Sequence, residues 1–153
     1  MDYTFQILKA TRTNFLNLIN GLSLDAVNAI PAGFNNNIIW NFGHIIAAQQ
    51  VLCYKMSQVT PRVEEEIITK YQKGTKPTAY VSQAELELLK SYLFSTIDFL
   101  AEDFENNIFR PFTPYKTSLG STVSSIEGAI QLLPMHDGLH LGYAMALRKL
   151  VQK

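Results

Sequence analysis

The amino-acid sequence predicts an all-α protein, a four-helix bundle with long crossover connections. Apolar residues recur at three- and four-residue steps along several segments, the signature of helices with one buried face. No segment alternates apolar and polar residues with a convincing strand period, and Gly, Pro and Asn gather where the periodic segments stop. The 153 residues are 47% hydrophobic and 17% charged, a globular composition, and residues 1–153 are long enough to bury a core as one domain.

Phe5, Leu8, Thr11, Phe15, Leu18, Ile19 and Leu22 draw one stripe along a first helix, with Gly21 at its stop. Pro31 and Gly33 mark a connection, and Asn35-Asn36-Asn37 offers N-caps for a second helix running to near Ser57. Pro61 breaks the chain, and residues 63–73 read as a short surface helix before Gly74 and Pro77. Ser82-Gln83-Ala84-Glu85 has the spacing of a capping box, and Leu86, Leu89, Leu93, Ile97, Leu100 and Phe104 follow at helical period as a third long helix. Residues 106–120, with Pro111 and Pro114, read as an irregular crossing. A last helix is expected over residues 122–151, with Ile126, Ile130, Leu133, His140, Ala144 and Leu147 on one side. Pro134 lies inside it, lacks a backbone donor, and is expected to kink or break it ahead of His136.

Lys+Arg and Asp+Glu both number 13, so the formal net charge is zero. That balance argues against a nucleic-acid or anionic-membrane partner recognised by bulk charge. Cys53 is the only cysteine, in the apolar run Val51-Leu52-Cys53-Tyr54, and reads as a buried structural thiol. Met1-Asp2-Tyr3-Thr4-Phe5 has no basic export-signal start. The least charged stretch, residues 26–54, carries Asn, His and Gln side chains that would be costly in lipid. A cytoplasmic protein without a membrane partner is expected.

The chemistry concentrates in the three histidines of the chain. His136 and His140 are one helical turn apart, about 40° around the axis and roughly 6 Å along it, so two imidazoles can share one ion. Both fall on or beside the apolar seam. His44 sits mid-helix among Phe42, Gly43, Ile45 and Ile46, also inward, with the glycine leaving room beside it. The plain alternative is three packed core histidines, each needing its own partner in a region poor in acceptors. Three neutral imidazoles instead leave one divalent ion its full charge and an open position for water or substrate. Imidazole ligation favours Zn²⁺ or Ni²⁺ and does not choose between them. Asn41, one turn before His44, and Asp137 or Glu127 near the pair are candidates to orient the rings. Tyr143 is a candidate donor in the pocket, and Arg110, Tyr115 and Lys116 are candidates to meet an anionic substrate at its mouth. No side chain is assigned a catalytic role.

Two rival metal motifs fail. His136-Asp137-Gly138-Leu139-His140 has the spacing of a zinc-protease helix, but Asp stands where that helix carries its general-base Glu, and no His, Asp or Glu follows His140. A carboxylate-bridged di-iron bundle needs Glu-x-x-His pairs, and none is present.

One His in the second helix (Trp40-Asn41-Phe42-Gly43-His44), a long crossover, and a terminal His136-x-x-x-His140 followed by Gly142 together resemble the DinB-like superfamily, the damage-inducible, bacillithiol-transferase-like group of bacterial bundles. The resemblance implies an up-down-down-up bundle, commonly a homodimer, with His44, His136 and His140 as metal ligands. It also implies an activity class, since relatives include S-transferases and isomerases that hold a low-molecular-weight thiol as a metal-bound thiolate. The expected function is therefore a metal-dependent thiol S-transferase or hydrolase acting on a small molecule. The alternative is a non-catalytic, stress-related metal- or ligand-binding module or dimeric interaction protein.

Overall fold

The computed structural model describes residues 1–118 and 120–152; Leu119 of the expected crossing and Lys153 at the end of the chain lie outside the described residues. The protein is mostly helical. The first helix, α1 (Asp2–Asn20), buries Leu8, Phe15, Leu18 and Ile19 as its stripe requires, and ends at Gly21, whose N–H returns to Asn17 O. The stripe also contains Arg12, fully buried, where the sequence placed Thr11. A five-residue helix, α2 (Leu24–Asn28), follows under a Ser23 cap; one turn and a half is too short to display a period, and the sequence did not reveal it.

Asn37 caps α3 (Ile38–Gln49), its side-chain oxygen accepting from Trp40 N at 2.9 Å. Every residue of α3 is buried, so this helix is apolar on all sides, as a helix enclosed by others must be. It runs on through a wider π-type turn, Gln50–Tyr54, and a tight 3₁₀ turn, Lys55–Ser57, to stop at Gln58 in a left-handed conformation (φ 56°). The predicted end near Ser57 is correct. The short helix α4 (Glu65–Tyr71) does form, but it is not a surface ornament: Ile67, Ile68 and Tyr71 are buried and pack against α3.

Ser82 caps α5 (Gln83–Glu105) by accepting from Glu85 N at 3.2 Å. Only this half of the capping box is made, because the Glu85 carboxylate is taken by Lys70 Nζ at 2.7 Å and Tyr71 Oη at 2.5 Å, which ties α4 to the start of α5. The crossing then contains an antiparallel pair, β1 (Tyr115–Lys116) and β2 (Thr122–Val123), with Tyr115 opposite Val123. Two residues per strand give no readable alternation. Because residues 122–123 are so engaged, α6 (Ile126–Val151) starts later than the sequence suggested, under a Ser125 cap. It passes unbroken through Pro134. The missing N–H costs one hydrogen bond to Ile130 O, and buried Ile130 and Leu133 before it and Asp137 after it hold both halves in one helix.

The long helices pack as α1 on α6 and α5, and α3 on α6 and α5. Their core has two parts. One gathers Phe15, Phe42, Ile45, Leu89 and Leu147; the other gathers Leu8, Leu52, Ile97, Ile130 and Leu133. Cys53 is fully buried in the second, and desolvation pushes its thiol far above the usual range, the inert structural role expected. Between the two lies Arg12. Its Nε donates to Asp137 Oδ2 at 2.9 Å, and its Nη1 donates to Leu93 O at 2.9 Å and Thr96 Oγ1 at 3.0 Å. No described helix is long and apolar enough to cross a membrane.

Removing one partner of such a pair strands the other charge out of water. Arg12→Met alone is expected to cost about 3–5 kcal/mol in urea unfolding at neutral pH. Lys9→Met, which removes the surface pair Lys9–Asp98 (side chains 50% and 63% exposed), is expected to change stability by less than about 1 kcal/mol.

Candidate metal centre

Helix α3 presents His44 and helix α6 presents His136 and His140, and one nitrogen from each ring lies within 4.8 Å of the others. Ring centroids are 5.2 Å apart for His44 and His136, 4.5 Å for His44 and His140, and 4.7 Å for His136 and His140. The one-turn spacing in α6 brings its two rings side by side, and the packing of α3 across α6 supplies the third.

Each ring is oriented through Nδ1. That of His44 faces Tyr71 O at 2.6 Å, that of His140 faces Asn41 Oδ1 at 2.8 Å, and that of His136 faces Asp137 Oδ1 at 3.4 Å. An acceptor at Nδ1 places the proton there and leaves Nε2 with a free lone pair, the form that binds a metal. The Asn41 amide is itself fixed, since its Nδ2 donates to Asn37 O at 2.8 Å, and this turns its oxygen toward His140. The residue that caps α3 thus also sets a ring in α6.

Gly43 has a role different from the one its place beside His44 suggested. A Cβ there would lie 2.5–2.7 Å from ring atoms of Tyr71. The glycine lets α4 approach α3 closely enough for the Tyr71 carbonyl to reach His44. Trp40 closes the other side, its indole stacked on the His44 ring at 4.7 Å and 12°.

Burial holds two of the rings neutral. Desolvation lowers His44 to about 4, against the partly opposing Tyr71 hydrogen bond. Desolvation, then repulsion from His44 and His136, lowers His140 to about 3. Neutral nitrogen donors meeting at one point without a competing cation fit a divalent ion.

The histidines face a cavity of about 540 Å³. Trp40, Leu52, Leu132, Met135 and Leu139 give it apolar walls, while Lys73, Tyr115, Thr117 and Ser118 stand on its polar side. Of the anticipated mouth residues, Tyr115 lines the cavity; Arg110 and Lys116 are exposed and do not. Asn41 and Asp137 touch the rings as anticipated. Glu127 does not, being exposed in the first turn of α6. Tyr143 shares a face with His136 but lies roughly 10 Å further along the helix, outside the cavity lining, with its ring edge-on to Phe34. Arg12, Trp40, Tyr71 and Lys73 were not singled out from the sequence. Trp40 alone left a signal there, one turn before His44 on the same helix.

A family model described as the DinB superfamily matches residues 7–144, a span holding all three histidines. Among solved structures, the conserved protein of a locus from Enterococcus faecalis aligns with a TM-score of 0.66 over 98% of this chain and 95% of that chain. At 14% identity this is a likeness of fold. No curated protein matches the chain.

Gly43→Ala is expected to cost about 1–3 kcal/mol through overpacking against Tyr71, and to weaken metal binding by parting Tyr71 O from His44; thermal unfolding and a metal titration check the two effects. The lowered histidines also set a pH dependence. Below about 6.5 the unfolded chain takes up protons that folded His44 and His140 refuse. Metal-free protein is therefore expected to lose stability as pH falls from about 6.5 toward about 4, a trend that His140→Gln should reduce in urea unfolding.

Proposed function

The chain belongs to the DinB superfamily, and from that membership and its converging histidines we propose a divalent-metal-binding protein that acts on a small molecule, as a thiol S-transferase or hydrolase. One observation carries this reading. Three imidazoles, each with Nδ1 occupied by an acceptor, meet at the inner end of a cavity large enough for a ligand.

His44, His136 and His140 would hold the ion, Zn²⁺ or Ni²⁺ by the preference of imidazole. Bound there, it would supply Lewis acidity, lowering the pKa of a thiol or water in its open position. The rest falls to the protein. Tyr71 and Asn41 hold the rings in place. The apolar walls exclude water and take the body of the substrate, and Lys73, whose Nζ lies 3.4 Å from Tyr115 Oη, offers a positive charge to an anionic group at the mouth.

The same reading takes residues 1–153 as one domain, with an up-down-down-up bundle of α1, α3, α5 and α6. The cross-helix contacts support those directions. Lys9 meets Asp98 while Arg12 meets Thr96, as antiparallel α1 and α5 require, and Gln49 meets Thr96 while Tyr54 meets Asp103, as parallel α3 and α5 require. Self-association as a homodimer is supported by exposed Leu139, Met145 and Leu150 on α6.

Elemental analysis of purified, untagged protein tests the metal, beside a His136→Ala/His140→Ala double variant. Near-stoichiometric metal is expected in the wild type and none in the variant. Metal-loaded protein is then expected to turn over one member of a thiol and electrophile panel, and to lose that turnover in His140→Ala. Metal uptake without turnover would assign the non-catalytic alternative. No uptake after incubation with Zn²⁺ and Ni²⁺ would return the histidines to a packing role.

A further inference from the structure

His44 and His140 are oriented by neutral acceptors on α4 and α3, a backbone carbonyl and a side-chain amide. His136 is oriented by a carboxylate, and by its own neighbour in sequence. That contact is unusual on geometric grounds. Side chains at successive helical positions point about 100° apart, so Asp137 does not naturally lie beside the ring of His136. At 3.4 Å it is also the longest of the three ring contacts, and so the one most sensitive to where the carboxylate is held.

What holds the carboxylate is Arg12. Its Nε takes Asp137 Oδ2 at 2.9 Å, leaving Oδ1 toward His136 Nδ1. The guanidinium is fixed from further sides by Leu93 O and Thr96 Oγ1, and Thr96 is linked to α3 through Gln49, whose Nε2 donates to Thr96 O at 2.7 Å. Arg12 and Asp137 have no exposed side-chain surface, so solvent does not compete for either group. We infer that Arg12, acting through Asp137, is a positioning residue for His136: α1, which bears no ligand, sets the orientation and proton placement of one ring of the metal site. The inference rests on the metal reading above for its consequence, but its first link concerns the ring alone.

Two variants separate this role from simple helix bracing. Arg12→Met/Asp137→Leu removes both charges and keeps apolar volume, a replacement that folded proteins often tolerate well. Arg12→Lys keeps the charge and loses the fork. In metal-free protein, imidazole ¹⁵N shifts report the tautomer, with His136 assigned by its absence in His136→Gln. Wild type is expected to carry the proton on Nδ1, the double variant to move it to Nε2, and Arg12→Lys to fall between. In a Co²⁺ titration the double variant is expected to bind about 10–100-fold more weakly, with an altered visible spectrum. Circular dichroism confirms folding, and if the double variant does not fold, Arg12→Lys decides by the same two readouts. A folded variant that keeps either the wild-type tautomer or the wild-type Co²⁺ affinity overturns the inference. If wild type takes up no metal, the functional reading fails, while the tautomer still decides whether Arg12 and Asp137 orient His136.

Discussion

A single buried guanidinium organises this protein. Arg12 enters from α1 and finds a carboxylate on α6 and a carbonyl and a hydroxyl on α5, all inside a core otherwise filled by aliphatic and aromatic side chains. Apolar packing alone would let helices slide or rotate at little cost, since one methyl group is much like another. A planar fork with several donors does not tolerate that, because each donor needs its acceptor at a fixed distance and angle. The pair therefore contributes less to net stability than to the choice of one arrangement among near-equals, and the metal centre inherits that choice.

The centre shows how few local features suffice once the frame is set. Two histidines one turn apart need only α6 to be helical. The third depends on α3 lying against α6 at the right height, and its ring depends on Tyr71, which reaches it only because residue 43 has no side chain. A capping residue, Asn37, passes its influence through Asn41 to His140. Groups whose first duty is to end or pack a helix thus also fix the donors.

Much of this was legible in the sequence, for physical reasons. Long helices with one buried face repeat their pattern over many turns, and caps such as Asn37, Ser82 and Gly21 announce themselves by residue type. The three histidines were legible because each sat on an inward position of a periodic segment. What escaped was whatever depends on distant partners. Arg12 reads as a solvated charge until Asp137 is seen opposite it. Residues 63–73 read as surface because the apolar side of α4 is only Ile67, Ile68 and Tyr71. The site residue Lys73 comes from the loop after that helix, and no spacing in the chain links it to Tyr115. Pro134 was weighed on backbone cost alone, without the core residues that hold its helix on both sides.

The wide turn at Gln50–Tyr54 has a consequence of another kind. A turn closed by i to i+5 bonds holds one residue more than its neighbours and advances the helix phase by about 100°. The half of α3 that bears His44 and the half that bears Tyr54 are thereby set to different azimuths, the first toward α6 and the second toward Asp103 of α5. Insertions or deletions of a residue in this joint re-aim the distal half while leaving the ligand half undisturbed. Over evolutionary time the floor of the cavity, where Val51 and Leu52 stand, is free to be re-cut for new ligands without surrendering the histidines.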